Sequence, residues 1–184
     1  IIGAGRHNVI SGGGSIHQYS FQGEQLSVIG GGLQNKLYKT PLSFIGAGSK
    51  NLITGQTHSF IGGGESNTIS ANTHGAIVGG INNILGVGYD GKHPTTKPNY
   101  FYNFIGGGSG NTVSGSNVTL VVGGNNNRAN LTWGSTIVGG SANTINALHS
   151  NEVFGQHGSF YSFIGGGRSN NIAIVSGGSP TQDG

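Results

Sequence analysis

Apolar residues recur along this chain at a fixed interval, and a short run of glycine follows each of them. In a typical copy an Ile is followed by Gly three positions later and by Asn six positions later, as at Ile61, Gly64 and Asn67. From Ile29 to Ile77 the step between copies is sixteen residues. A fixed period of this kind indicates a repeat architecture, in which each copy is one unit of a stacked fold.

Each unit contains two short apolar segments separated by Gly, Asn, Ser and Thr. The second segment lies eight residues after the first, as Ile69 follows Ile61. Helices are disfavoured because apolar residues do not recur at i, i+3 and i+4, and because Gly, a poor helix former, occupies 39 of 184 positions. An antiparallel meander is disfavoured because the chain has no Asn-Gly pair, the favoured two-residue hairpin turn.

The pattern therefore predicts an all-β fold, a parallel β-solenoid or β-roll of about ten 16-residue coils, counting a weak copy at Val153. Each coil would contribute two strands and two turns, and coils would stack at about 4.8 Å. We predict one repeat domain over residues 1–175 and a C-terminal tail over residues 176–184. Three stretches break the period and are interpreted as inserted loops, near residues 12–27, 86–103 and 146–162.

Two columns of identical residues are expected to shape the turns. The Gly column needs either a positive φ or close approach of another backbone. The Asn column is expected to hydrogen-bond both to its own turn and to the Asn of the next coil; a row of ligand-binding amides is the alternative interpretation. The members are Gly32, Gly48, Gly64, Gly80, Gly108, Gly124, Gly140 and Gly167, with Asn35, Asn51, Asn67, Asn83, Asn111, Asn127, Asn143 and Asn170.

The residue before each repeated Ile is nearly always apolar. Neighbours on a strand point to opposite faces, so Phe44 and Ile45 cannot enter the same interior. If Ile fills the core, the preceding residue faces outward, and monomeric proteins rarely expose so long an apolar stripe. We therefore predict an oligomer interface, most simply in a parallel homotrimer; the alternative is that these residues cap the core under the inserted loops. The predicted interface residues are Phe44, Phe60, Phe104, Leu120 and Phe163.

Composition narrows the range of partners. Charged residues make up 7% of the chain, the formal net charge is +3, and the cations are scattered, so a nucleic-acid surface is not predicted. No apolar run approaches the roughly twenty residues of a membrane span, so membrane insertion is not predicted either. The chain lacks Cys and Met. This suits an extracellular, cell-surface or virion-surface protein that is stabilised by stacking and self-association.

Catalytic residues, cofactors and metal ligands are not predicted. The chain has no Cys nucleophile and no Gly-x-Ser-x-Gly motif. His58 and His74 lie one repeat apart and are expected to stack, which favours a structural or weakly pH-sensitive pair over a metal site. The carboxylates form no close pair in sequence for acid and base catalysis of glycoside cleavage. They are Glu24, Glu65, Asp90, Glu152 and Asp183.

The three inserted stretches are rich in aromatic residues and His. Loops on a rigid scaffold are common sites of binding residues. Aromatic rings with polar neighbours can stack on sugars or form protein contacts. We predict contacts to cell-surface glycans or to neighbouring subunits there; the alternative is that these side chains only cover the solenoid. The candidate residues are His17, Tyr19, Tyr100, Phe101, Tyr102, His157 and Tyr161.

The runs SFIGAGSKNLITG, from Ser43 to Gly55, and SFIGGGESNTIS, from Ser59 to Ser70, resemble a known repeat class. They resemble the YadA-like head repeats of trimeric autotransporter adhesins and the related β-rolls of phage and viral tail fibres. The resemblance spans about Ile1 to Ile172 and implies a trimeric β-roll used for attachment.

We therefore expect a non-enzymatic structural fibre or adhesin module of an extracellular or virion surface appendage, which mediates attachment or assembly. Two alternatives remain open. One is a tailspike that binds or cleaves carbohydrate, and the other is a subunit of an extracellular filament built end to end. An ice-binding solenoid is disfavoured because the repeats carry no regular Thr array.

Overall fold

The computed structural model describes residues 1–11, 26–55, 57–70, 72–86, 100–148 and 159–175. Every regular element in these segments is a β-strand, and no helix occurs in them. The strands form two large sheets and two small ones, and all pairings are parallel. The all-β fold with parallel pairing that the repeat predicts is therefore confirmed, and one 16-residue coil is called a rung below.

The larger sheet takes one strand from each of nine rungs and pairs them in sequence order. Its strands are β1 (Val9–Ser11), β3 (Lys36–Tyr38), β5 (Leu52–Thr54), β7 (Thr68–Ser70), β10 (Ile84–Gly86), β13 (Thr112–Ser114), β15 (Arg128–Asn130), β18 (Thr144–Leu148) and β21 (Asn171–Val175).

The second sheet has eight strands, again in sequence order. They are β2 (Val28–Ile29), β4 (Phe44–Ile45), β6 (Phe60–Ile61), β9 (Ala76–Ile77), β12 (Phe104–Ile105), β14 (Leu120–Val121), β17 (Thr136–Ile137) and β20 (Phe163–Ile164). Two further pairs of strands form the small sheets, and each of their strands comes in the chain between a strand of the larger sheet and a strand of the second sheet. They are β8 (Asn72–Thr73) with β11 (Tyr100–Phe101), and β16 (Thr132–Trp133) with β19 (Ser159–Phe160).

The pairing register shows where the period is interrupted. Most rungs bond to residues 16 positions away, but three steps span 27, 28 and 27 residues. Most of each predicted insertion, residues 12–25, 87–99 and 149–158, lies outside the described residues. Val153 lies there too, but Ile137 pairs directly with Ile164, so no rung starting at Val153 lies between them. The described residues form nine rungs where the period predicts about ten.

Two aliphatic columns form the core, one behind each large sheet. In one rung Ile61 and Ile69 are both fully buried, and the same holds at the equivalent positions of the neighbouring rungs. Each such burial contributes about 1.5–3 kcal/mol, so the core adds stability rung by rung. The buried residues are Ile29, Leu37, Ile45, Ile53, Ile61, Ile69, Ile77, Leu85, Ile105, Val113, Val121, Ala129, Ile137, Ile145 and Ile164.

A short local motif turns the chain twice in each rung. His58 and Ser66 have φ of 57° and 56°, and each lies three residues before a core residue, Ile61 or Ile69. The residue after each of them is polar and buried, as at Asn67, and the next residue faces outward on the strand. Each coil is therefore built from two eight-residue halves that share a left-handed residue, a buried polar residue, an outward residue and a core residue.

The Asn column fills one of these buried polar positions. The Asn67 side-chain nitrogen donates to Oδ1 of Asn51 at 3.2 Å, to the Gly63 carbonyl at 3.0 Å and to the Gly80 carbonyl at 2.9 Å. The backbone N–H of Asn67 also donates to Oδ1 of Asn51. One side chain thus bonds to its own turn and to both neighbouring rungs, which is the role expected of a structural column.

The Gly column meets both physical requirements at once. Gly64 has a φ of 90°, and a Cβ atom there would lie 2.1 Å from the Gly80 carbonyl oxygen. The other members have φ between 86° and 95° and similarly close contacts wherever a following rung is present. No other residue type fits both the conformation and the space.

We predict that Gly64→Ala lowers the free energy of unfolding by about 3 kcal/mol or more, because it combines a strained φ with a backbone clash. The matched control is Gly79→Ala, since an added Cβ at Gly79 meets nothing within 4 Å. That control should change stability by about 0.5 kcal/mol or less. Chemical denaturation of both variants measures this, and equal losses would contradict the role of the column.

We also predict that Asn67→Ala destabilises the protein by about 3–5 kcal/mol, because it removes several buried hydrogen bonds and leaves carbonyl groups without their side-chain donor. Asn171→Ala is the control, since Asn171 is exposed and begins a strand. Its cost should stay below about 1 kcal/mol. Thermal melts followed by circular dichroism compare the two, and a loss below 1 kcal/mol at Asn67 would contradict a bonded ladder.

Candidate functional site: the apolar outer face

The strand that precedes each turn holds only two residues, and they face opposite ways. In β4 and β6 the second residue, Ile45 or Ile61, is fully buried, while Phe44 and Phe60 are 38% and 40% exposed. Phe163 is 64% exposed at the same position of β20. The outward direction of these Phe side chains is thus set by the strand alternation that places Ile in the core.

These outward residues align into one continuous stripe. The register pairs Phe44 with Phe60 and Phe104 with Leu120, and the same column continues through every strand of the eight-stranded sheet. Phe104 and Leu120 are half-buried. We call the stripe and its flanking column two residues later the outer face. Its members are Val28, Phe44, Phe60, Ala76, Phe104, Leu120, Thr136 and Phe163, with Gly30, Gly46, Gly62, Val78, Gly106, Val122, Val138 and Gly165.

The two columns of the outer face compensate each other in volume. Where the first column has Phe, the second has Gly, and the ring edge lies over that Gly. A Cβ built on Gly62 would lie 3.4 Å from Cε1 of Phe60, and one built on Gly106 would lie 3.3 Å from Cε1 of Phe104. Where the first column has Ala76, Leu120 or Thr136, the second has Val. These rungs therefore present an apolar volume similar to that of the Phe rungs, whereas the rung of Val28 and Gly30 presents less.

Neighbouring rings on the outer face also stack. The ring centroids of Phe44 and Phe60 are 5.6 Å apart and their planes differ by 5°. Such a pair contributes about 0.5–1.5 kcal/mol beyond the area that it buries. The stack holds both rings in fixed positions, so this part of the stripe is a preformed apolar surface.

Charged side chains of the described residues avoid the outer face. Lys36 and Arg128 project from the nine-stranded sheet on the other side of the coil, at the paired outward position of β3 and β15. Lys50 forms an ion pair with Glu65 at 3.3 Å, and both side chains are about half exposed, so the pair adds little stability. One side of the rod is thus apolar, and we call the opposite side, which carries Lys36 and Arg128 among mostly neutral residues, the basic side.

Aromatic residues form a second column at the edge where the chain enters the eight-stranded sheet. The rings of His58 and His74 stack at 4.9 Å, and those of His74 and Tyr102 at 5.0 Å. Because the rings cover each other, they present mainly their edges to solvent. A sugar that binds by stacking needs an open ring face, so the stacked part of this edge is a poor platform for that mode of binding.

The stacked imidazoles are also poorly placed to chelate one metal ion. A metal bound to an imidazole nitrogen at about 2.0–2.1 Å lies close to the ring plane. The two ring planes are nearly parallel, at 9°, with centroids 4.9 Å apart, so no single ion can lie in both. Within the described residues, no group of three or more His, Cys, Asp or Glu side chains is gathered either.

Four of the predicted ligand-contact residues are described, and these four do not gather into one site. His17, Tyr19 and His157 lie outside the described residues. Tyr100 and Phe101 form β11, which pairs with β8. The remaining two lie on the aromatic edge, where Tyr102 is 59% exposed and stacks on His74, and Tyr161 is 78% exposed beside Gly134.

The described part of the chain offers few carboxylate groups for acid and base catalysis. Glu65 is the only carboxylate side chain there, and it pairs with Lys50. The other four, Glu24, Asp90, Glu152 and Asp183, lie outside the described residues. Nor does any described segment form a helix of the length and apolarity needed to cross a membrane.

Two features of the surface were not predicted from the sequence. The first is the pairing of residue sizes on the outer face, where Phe is followed two residues later by Gly, and Ala76, Leu120 and Thr136 are followed by Val. Comparing the two columns in the sequence would have revealed it. The second is the left-handed column at His7, Gln34 and Lys50, which the residue types give no reason to expect.

No protein-family model matches the chain, and no match is found among curated proteins. The resemblance to adhesin and tail-fibre repeats therefore stands on the repeated residues alone.

We predict that Ala76→Phe destabilises the protein by about 1–3 kcal/mol, because the new ring meets the side chain of Val78. The double change Ala76→Phe with Val78→Gly should recover most of that loss, since it recreates the pairing seen at Phe60 and Gly62. A double-mutant cycle by denaturant unfolding measures the coupling, which we expect to exceed about 1 kcal/mol. Additive effects would contradict the volume exchange.

Proposed function

We propose that this protein is a non-enzymatic structural module of a fibre or adhesin, which self-associates through the outer face and mediates attachment or assembly. The proposed location is extracellular, on a cell surface or on a virion surface. The observation that carries the proposal is the outer face itself, an apolar stripe that continues through all eight strands of one sheet without a charged residue.

The composition and continuity of the stripe, more than its area, support a protein partner. Eight strands spaced at about 4.8 Å give a length of roughly 34 Å, and three residues across give a width of roughly 10 Å. The flat projection, roughly 340 Å², already matches the largest apolar patch on a typical monomer. Interface centres are enriched in aromatic residues and depleted of charge, as this stripe is.

A second copy of the same chain is the simplest occupant of the outer face. Two copies in parallel orientation have equivalent rungs at the same height. Each rung of one copy therefore meets the equivalent rung of the other, Phe44 beside Phe44 for example. Closed cyclic symmetry then buries the stripe of every copy, and three copies give the parallel homotrimer. The basic side of each rod remains outside and open to other contacts.

The mass of the particle in solution tests this proposal. The chain has a mass of 18.6 kDa, so a trimer is expected near 56 kDa by light scattering at several concentrations. Phe44→Ser combined with Phe60→Ser should reduce the particle to a monomer, because two polar groups replace the stacked rings of the interface. The core residues Ile45 and Ile61 are untouched, so the circular dichroism spectrum should keep its β-sheet form.

Tyr38→Ser is the matched control, because Tyr38 is also a large ring, 46% exposed, but projects from the nine-stranded sheet. Its particle should keep the wild-type mass. A wild-type monomer at all concentrations would overturn the proposal. A mass that grows without limit as concentration rises would instead favour a filament built end to end.

A further inference from the structure

A groove runs across the first three rungs on the basic side of the rod. It has a volume of about 530 Å³ and is open to solvent. Six of its seven lining residues come from two columns, the left-handed turn column and the outward column of the nine-stranded sheet. They are His7, Gln34 and Lys50 from the first column, and Val9, Lys36 and Leu52 from the second; the seventh is Asn51, from the Asn column between them.

The left-handed turns place the polar side chains of the groove at regular heights. His7, Gln34 and Lys50 have φ of 56°, 58° and 56°, so all three leave the backbone in the same local geometry. Their rungs are adjacent in the ladder, which spaces them by about 4.8 Å each. An imidazole, an amide and an ammonium group thus form a row along the groove.

Positive charge is concentrated at this end of the described rod. The first three rungs hold Arg6, Lys36, Lys39 and Lys50, out of the six Lys and Arg residues that the structure describes. The one described acid, Glu65, lies in the fourth rung, and its carboxylate pairs with Lys50. Lys36 therefore faces the groove with no acidic partner among the described residues. The groove favours an anionic ligand.

The backbone around the groove is already engaged within the ladder. The N–H of Gln34 donates to the Arg6 carbonyl at 2.9 Å, and that of Lys36 donates to the Asn51 carbonyl at 2.8 Å. An extended peptide that binds by strand addition needs free backbone groups at a sheet edge. The N–H groups of Gln34 and Lys36 are not free, so at these positions a ligand must be recognised by side chains.

We propose that this groove binds an acidic carbohydrate, a sugar that carries carboxylate or sulfate groups. The ammonium groups of Lys36 and Lys50 pair with the anionic substituents, and the Gln34 amide and the His7 ring bond to hydroxyl groups. Val9 and Leu52, one rung on either side of Lys36, supply apolar contacts for C–H groups of the sugar. The volume lies within the range of small-molecule sites and suits a disaccharide.

This site deepens the attachment role proposed above and rests on it for biological meaning, but it needs no second chain. Every residue of the groove comes from one copy, on the side opposite the outer face. Binding and assembly can therefore fail or succeed independently, and the two are measured separately.

The test is titration calorimetry of the full chain with a sulfated uronic-acid disaccharide at low ionic strength, with the particle mass recorded on the same samples. Lys36→Gln should weaken binding about fivefold, since it removes one exposed ion pair with the ligand. Glu65→Gln should tighten binding about twofold to fivefold, because it frees the Lys50 ammonium. If Glu65 had only a structural role, its replacement would not increase the affinity for the ligand.

Arg128→Gln is the matched control. Arg128 occupies the same outward column as Lys36 and lies five rungs further along, so it carries the same charge on the same face outside the groove. The affinity of the Arg128→Gln variant for the disaccharide should stay within twofold of that of the wild type. An equal loss in Arg128→Gln would overturn the site, because it would show attraction to the overall charge alone.

Three further results would overturn the site. They are an absence of binding, equal binding of the uncharged disaccharide, and equal affinity for a tetraglutamate peptide, which would replace the sugar by an acidic peptide. A correct trimer mass with no binding rejects the groove and leaves the assembly proposal intact. Binding by a monomer rejects the assembly proposal and leaves the groove intact.

Discussion

Successive rungs approach so closely along the Gly column that a Cβ atom on Gly48 would lie 2.1 Å from the carbonyl oxygen of Gly64. The same added atom would lie 2.9 Å from the side-chain nitrogen of Asn51, which donates to that carbonyl at 3.0 Å. The missing side chain of Gly therefore makes room for the amide of Asn. Because each Asn also bonds to the rung before it, a shift of register would break the bonds of both columns together.

Fixed register turns every exposed position into a column, and the properties of a column add along the rod. A single Phe on a surface is ordinary, but the same position repeated through eight strands becomes an apolar face. Left-handed turn residues, which cost about 1–2 kcal/mol each outside Gly, recur in the same way. They are held because their N–H groups donate to the previous rung, as Ser66 does to Ser49, so the turns are stable only in the stack.

The two sides of the rod differ because the two outward columns differ in residue type, while the core between them is aliphatic throughout. Ile lies behind both sheets, yet Phe60 faces outward from one sheet and Thr68 from the other. The core therefore sets the shape, and substitutions at outward positions set the chemistry of each side without disturbing the core. This separation lets an assembly face and a ligand groove coexist in one short coil.

The sequence by itself determined the parallel stacking, the two core columns, the Gly and Asn columns and the outward direction of Phe44, because all of these follow from a period of sixteen residues and from the alternation of strands. Only the tertiary structure decided which residues meet across interruptions of that period. Tyr102 stacks on His74, and Lys36 faces the same groove as His7, across steps of 28 and 27 residues. The hydrogen bonds of the ladder set those registers, and the length of an inserted segment does not.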